Sequence, residues 1–252
     1  MERKIDRVLQ NWFEDRDHKA LVLRGPRQVG KSYAIRKLGT ERYDSIIEIN
    51  FEDRPDYRSI FEGNLSAGAI FEKLSFTFIK ENFEGCLLFL DEIQSCPGAF
   101  SALKPLVEDG RCDIACSGSV LSEVVGDGRL TPMGSIELEY MEPMDFEEFL
   151  WANGVGSQIL NHVRECYLER KPVDEPIHSI MMSRFREYVC VGGMPSVVDA
   201  FVEKNDINIV RMEQRDLVEQ YRDDFGKYLD ENGNEMTDME MLGRINQVFD
   251  SI

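Results

Sequence analysis

Residues 25–32 read GPRQVGKS, a fit to G-x-x-x-x-G-K-[ST], and the chemistry of each position suits a polyphosphate. Gly25 and Gly30 permit backbone conformations that turn successive N–H groups inward, and a helix starting after them would add partial positive charge. Pro26, Arg27, Gln28 and Val29 fill the loop, with Arg27 at a variable position and expected to point outward. Lys31 is the mobile charge for β and γ phosphates, Ser32 offers a hydroxyl to Mg²⁺, and Tyr33 closes the segment. A second segment, LLFLDE at 87–92, delivers two carboxylates from an apolar run. Asp91 would hold Mg²⁺ directly or through its water shell, and Glu92 could polarise an attacking water. Glu92 as a solvated loop acid or cap is the competing reading. No N-K-x-D-type guanine-reading segment is evident, which favours ATP over GTP, so that ATP and ADP are the expected ligands.

These groups need a sheet to bring them together. Ala20 to Leu23 reads as a buried strand that stops at Gly25 and Pro26, after an amphipathic segment with Ile5, Leu9, Trp12 and Phe13. A helix is expected from Gly30 to Leu38 with Gly39 as its stop. Further strands are expected at Ser45 to Phe51, Cys86 to Leu90, Asp113 to Cys116 and Ile136 to Tyr140, with a helix around 67–82. In the last strand Ile136, Leu138 and Tyr140 would share one face and Glu137 and Glu139 the other, as at a sheet edge. Strands alternating with helices imply an α/β fold, a three-layer parallel sheet with helices on both faces.

After Pro143 the periodicity becomes helical. Asp145 can cap a helix through Trp151, Ser157 precedes Ile159, Leu160, Val163 and Tyr167, and Ile177, Met181, Phe185 and Tyr188 mark another helix. The break at Gly192, Gly193 and Pro195 could serve as a hinge. Thr237 and Glu240 have capping-box spacing, and Met239, Leu242, Ile245, Phe249 and Ile252 carry an apolar stripe to the last residue. The expected organisation is a nucleotide-binding core at 1–143, then a smaller all-helical lid and the start of a truncated C-terminal region at 144–252.

GPRQVGKS, LLFLDEIQ, CSGSVL, the Gly128–Arg129 pair, MEPMDFEEFL and YVCVGGMPSVV occur in this order over about residues 1–200. The combination resembles a group of prokaryotic AAA+-type P-loop ATPases whose members usually continue into a C-terminal domain sometimes described as restriction-endonuclease-like. The resemblance implies a P-loop NTPase core in which a fourth strand lies between the two motif strands and presents a polar residue to the γ phosphate. Ser117 is the candidate for that residue, with Ser119 as backup, and a serine that only satisfies a turn is the competing reading. The group commonly has Thr where Ser32 and Ser117 stand, which keeps the hydroxyl. No arginine of the helical segments matches a second sensor. Arg129 could meet a γ phosphate within its own chain or in a neighbour, or form a surface ion pair with Asp127 or Glu123. The resemblance implies ATP hydrolysis with Mg²⁺ that drives or gates a conformational change. An ATP-gated switch or scaffold with little turnover, and the ATPase module of a DNA-processing protein, are the alternatives.

Composition bounds the partners. The 252 residues hold 29 Lys and Arg against 47 Asp and Glu, a net charge of −18, which repels phosphate backbones and anionic lipid. Any nucleic-acid contact is therefore expected through a missing C-terminal region, and a homo-oligomer is possible. Residues 1–40 run against the trend, with a surplus of Lys and Arg that fits a local anion site. No apolar run approaches the roughly 20 residues that span a bilayer, so a cytoplasmic protein without membrane contact is expected. The six cysteines read as reduced thiols, and Cys112 and Cys116 lack the second ligand pair of a zinc site. His18, His162 and His178 are too scattered for a hydrolytic triad.

Overall fold

The computed structural model describes residues 1–15, 19–118 and 134–225. It divides into two compact units, Met1–Gly156 and Ser157–Ile252.

The first unit is built on five parallel strands: β1 (Ala20–Arg24), β2 (Ser45–Asn50), β3 (Cys86–Asp91), β4 (Asp113–Gly118) and β5 (Ile136–Tyr140). Their order in the sheet is β2-β3-β4-β1-β5, so β4 lies between the strands that lead to Lys31 and Asp91. Among the described residues five α-helices accompany them: α1 (Lys4–Glu14), α2 (Lys31–Arg42), α3 (Ala67–Phe78), α4 (Pro97–Asp109) and α5 (Phe146–Ala152). This is the three-layer α/β fold of P-loop NTPases.

Strand parity explains what the sheet presents at its carboxyl edge. Ile47, Ile49, Leu88, Leu90, Ile114 and Cys116 belong to one apolar core with Ile70, Leu74, Phe100 and Leu103 of α3 and α4. Side chains alternate faces along a strand, so the intervening Asn50, Asp91 and Ser117 share the opposite face. Registers Asn50–Asp91 and Leu90–Cys116 bring all three strand ends level.

Several elements depart from the sequence-based expectations. Gly39 does not end α2, which runs to Arg42; an added Cβ at Gly39 would lie 2.5 Å from Ile46 Cδ1, so the glycine serves close helix–strand packing. The helix expected at 67–82 ends at Phe78, where Ile79 adopts a left-handed conformation. β5 is the edge strand, yet Leu138 and Tyr140 are 37% and 46% exposed, and of its apolar face Ile136 alone packs on the core. α5 belongs to the first unit. Its capping box, with Asp145 accepting from Glu148 N, is held by Arg3 and Lys4 of the chain start.

The second unit, described by itself, contains α6 (Ser157–Glu169), α7 (Glu175–Val191), α8 (Pro195–Lys204) and α9 (Ile207–Phe225). Val197, Val198 and Phe201 of α8 are buried, as are Val210 and Leu217 of α9. Gln214 donates to the carbonyls of Cys190 and Val191 at 2.9 and 3.1 Å, tying α9 to the end of α7. The capping signal at Thr237 and Glu240 lies outside the described residues. Among the described residues no helix is long and apolar enough to cross a membrane.

Candidate functional site

The loop between β1 and α2 is shaped by two constraints. Gly25 has φ +152°, and a Cβ there would lie 2.2 Å from the Met141 carbonyl oxygen, so only glycine fits beside the chain leaving β5. Gly30, at φ 97°, is the N-cap of α2 and supplies no capping side chain. The first-turn amides of α2 are therefore left for an external acceptor, with the helix dipole behind them.

Cations organise the loop carbonyls. Lys31 is 5% exposed and donates from Nζ to Gly25 O at 3.0 Å and Pro26 O at 2.8 Å. Arg3 Nη1 donates to Val29 O at 3.0 Å. In a trans peptide the C=O and N–H point in opposite directions, so these contacts turn the Arg27 and Gly30 amides to the other side. Burial pushes the Lys31 ammonium below the ordinary lysine value, while the Glu92 and Asp91 carboxylates oppose that shift.

The acidic wall stands opposite. Asp91 is 2% exposed and accepts from Ser32 Oγ at 2.9 Å and from Ser117 Oγ, both through Oδ1. Its Oδ2 accepts from Asn50 Nδ2 at 3.1 Å and lies 3.9 Å from Arg36 Nη2. A carboxylate so buried is tolerable because donors surround it. Glu92 follows at φ 53° and ψ 49°, in the left-handed region, and accepts from Gln94 Nε2 at 2.6 Å. Burial raises the Glu92 carboxyl above the usual range, Glu52 and Asp91 add to the rise, and Gln94 and Lys31 oppose it.

The structure thus gathers Lys31, Ser32, Asp91, Glu92 and Ser117 around one loop. Val29 is fully buried and Tyr33 is exposed on α2. Arg27, expected to point outward, is partly buried, with Nη2 3.4 Å from Glu52 Oε1. Arg129 and Ser119 lie outside the described residues. Sequence reasoning missed Asn50, which holds Asp91 and also accepts from the Glu52 and Asp53 amides at 2.9 Å. Its signal was the polar position at the end of a strand whose alternate residues are Ile47 and Ile49. Arg3 was missed as well, because a lone arginine near a chain start carries no pattern.

The donor set fits Mg²⁺. Ser32 and Asp91 offer oxygen atoms, the ligands this cation prefers, and it keeps several waters. Among the described residues no group of three or more His, Cys, Asp or Glu could hold a metal ion.

Residues 17–150, more than half of the chain, match the AAA domain family. The chain belongs to that family. As an AAA domain it falls among nucleotide-binding ATPases in general. No curated protein matches its sequence significantly. Among solved structures, C. elegans PCH-2 is 10% identical over 86% of this chain and 66% of its own, with a TM-score of 0.42. AMPPCP-bound DnaA from Aquifex aeolicus is 14% identical over 85% of this chain and 65% of its own, with a TM-score of 0.45. A katanin structure concerned with self-assembly is 15% identical over 84% of this chain and 70% of its own, with a TM-score of 0.46. The AAA domain chain therefore spans just under two thirds of the PCH-2 and DnaA chains it resembles.

Proposed function

We propose that this AAA domain hydrolyses ATP with Mg²⁺ and that turnover drives or gates a conformational change. The observation that carries the reading is the 2.9 Å contact between Ser32 Oγ and Asp91 Oδ1, which joins a phosphate-loop hydroxyl to a buried acid beside Lys31. In this reading Lys31 exchanges its bonds to the Gly25 and Pro26 carbonyls for the β and γ phosphates, and the loop and helix amides bind the remaining phosphate oxygens. Ser32 and Asp91 hold the metal, which when bound would neutralise charge on the β and γ oxygens. Ser117, fully buried on the strand between, orients Asp91 and offers a hydroxyl toward the γ phosphate.

Glu92 orients the water. The water oxygen forms a bond to the γ phosphorus as the bridging bond to the β-phosphate oxygen breaks, ADP leaves with that electron pair, and the water's proton passes to Glu92. Arg129 is assigned the neutralising role of a guanidinium at the γ phosphate, in cis or from a second copy.

Two measurements test this. Lys31→Ala should weaken ATP affinity by about tenfold or more in calorimetry, since charge-assisted hydrogen bonds are worth about 1.5–3 kcal/mol; normal affinity in a folded variant sinks the site. Glu92→Gln should slow single-turnover phosphate release by roughly 10²–10⁴-fold while nucleotide still binds. A second reading, an ATP-gated switch with little hydrolysis, draws on the raised Glu92 carboxyl, because burial favours its protonated form. Phosphate release that is unchanged in Glu92→Gln would favour that switch.

A further inference from the structure

Glu92 and Gln94 form a closed pair at the exit of β3. The chain bends sharply there: Glu92 takes the left-handed conformation and a single 3-10 turn, Ile93–Ser95, follows, closed by the Ser95 amide donating to Glu92 O at 3.0 Å. That bend folds position 94 back onto position 92, and Gln94 Nε2 donates to Glu92 Oε2 at 2.6 Å. An ionised carboxylate oxygen only accepts, so Nε2 is the end of the amide bonded to Glu92 and Oε1 is left to accept from another donor. Gln94 Oε1 is buried and has no hydrogen-bond partner among the described residues.

A buried acceptor with no partner is costly, and water is a donor small enough to satisfy it. Oε1 and Nε2 sit on one carbon, so a water donating to Oε1 would lie a few ångströms from the Glu92 carboxylate that Nε2 holds. The amide is neutral and is no base; what it supplies is orientation.

We propose that Gln94 is a catalytic residue of the hydrolysis: Oε1 accepts a hydrogen bond from one O–H of the attacking water while Nε2 holds Glu92 to take the proton of the other. The inference rests on the hydrolytic role of Glu92 proposed above. Water's oxygen bonds to the γ phosphorus, one proton moves to Glu92, and the hydrogen on Gln94 is shared without transfer. ADP is the leaving group.

The test uses the full chain with ATP and Mg²⁺ in single-turnover phosphate release, comparing the parent, Gln94→Ala, Gln94→Met and each in a Glu92→Gln background. Gln94→Met fills the same volume without an amide and guards against a cavity effect. Expected is a loss of roughly tenfold or more in rate for both Gln94 variants, with nucleotide dissociation constants within about twofold of the parent and unchanged melting temperature. In the Glu92→Gln background the same changes should cost less than about twofold, because the two side chains act as a unit. A parental rate in Gln94→Met alongside a strongly slowed Glu92→Gln overturns the role of Gln94 and leaves that of Glu92 standing. Equal losses in both backgrounds, or losses that track weakened nucleotide binding, also overturn it. An inactive parent, or a Glu92→Gln protein at parental rate, overturns both.

Discussion

Ser32 Oγ and Asp91 Oδ1 lie 2.9 Å apart although 59 positions separate them in the chain. Asp91 does not depend on this contact for burial, since Ser117 and Asn50 also donate to it. Ser32→Ala should therefore fold normally and lose only the share of ATP affinity that Mg²⁺ contributes. Titrations with and without EDTA would separate the two: the parent should bind more tightly with the metal, and the variant should bind alike in both. A variant that keeps the full metal-dependent gain removes Ser32 from the ion.

Asn50 links Asp91 to the loop after β2, donating with one end of its amide and accepting from two backbone amides with the other. Asn50→Asp keeps the accepting end and places a second carboxylate against Asp91. Like charges that close disfavour joint ionisation, so the free protein should lose about 1–3 kcal/mol of stability. A bound cation would offset the repulsion, and Mg-ATP should raise the melting temperature of Asn50→Asp by more than it raises the parent's. Equal shifts would show that Asn50 is electrostatically remote from the metal.

Arg3 is the point where the chain start, the β1–α2 loop and α5 meet. Its guanidinium donates to Glu148 Oε1 at 3.1 Å, to Val29 O at 3.0 Å and to Glu142 O at 2.7 Å, and its side chain is 9% exposed. Removing one partner of a buried ion pair leaves the other charged and desolvated. Arg3→Ala should cost about 3–5 kcal/mol, read as a lower urea midpoint. Arg3→Lys should recover little, because an ammonium on a flexible stem cannot span three fixed acceptors. A loss under about 1 kcal/mol would mean that solvent already screens the pair.

How far the sequence reached can be argued from particular residues. The loop and acid motifs were legible because glycine, lysine and carboxylate requirements are local, and the five strands because apolar runs with turn signals are local too. α4 carried no expectation: it holds two prolines, Pro97, which suits a helix start, and Pro105, which is accommodated inside the helix. Gly39 was misread as a stop because its cause is Ile46, on the next strand, and no helix-internal rule sees that neighbour. Asn50 and Arg3 make their contacts across elements, the information that one-dimensional spacing does not hold.

The buried thiols set a limit on alkaline stability. Burial raises Cys96, Cys112 and Cys116 above the ordinary thiol value, Cys112 to about 12, and burial likewise raises Tyr43, which donates to Asp113 at 2.7 Å. In the unfolded chain these thiols lose their protons near pH 8.5. Above that value the native state binds more protons than the unfolded state, so stability falls as pH rises. The contribution is fully present below about pH 8.5 and drains away toward the native value, about 12 for Cys112. Urea midpoints should be flat in this respect from pH 7 to 8 and decline from 9 to 10.5, and Cys116→Ala should shallow the decline. Over the same range a thiol reagent should modify exposed Cys190 at once and reach Cys116 only on unfolding. Rapid native labelling of Cys116 would show that the strand between the two motifs opens far more readily than its burial implies.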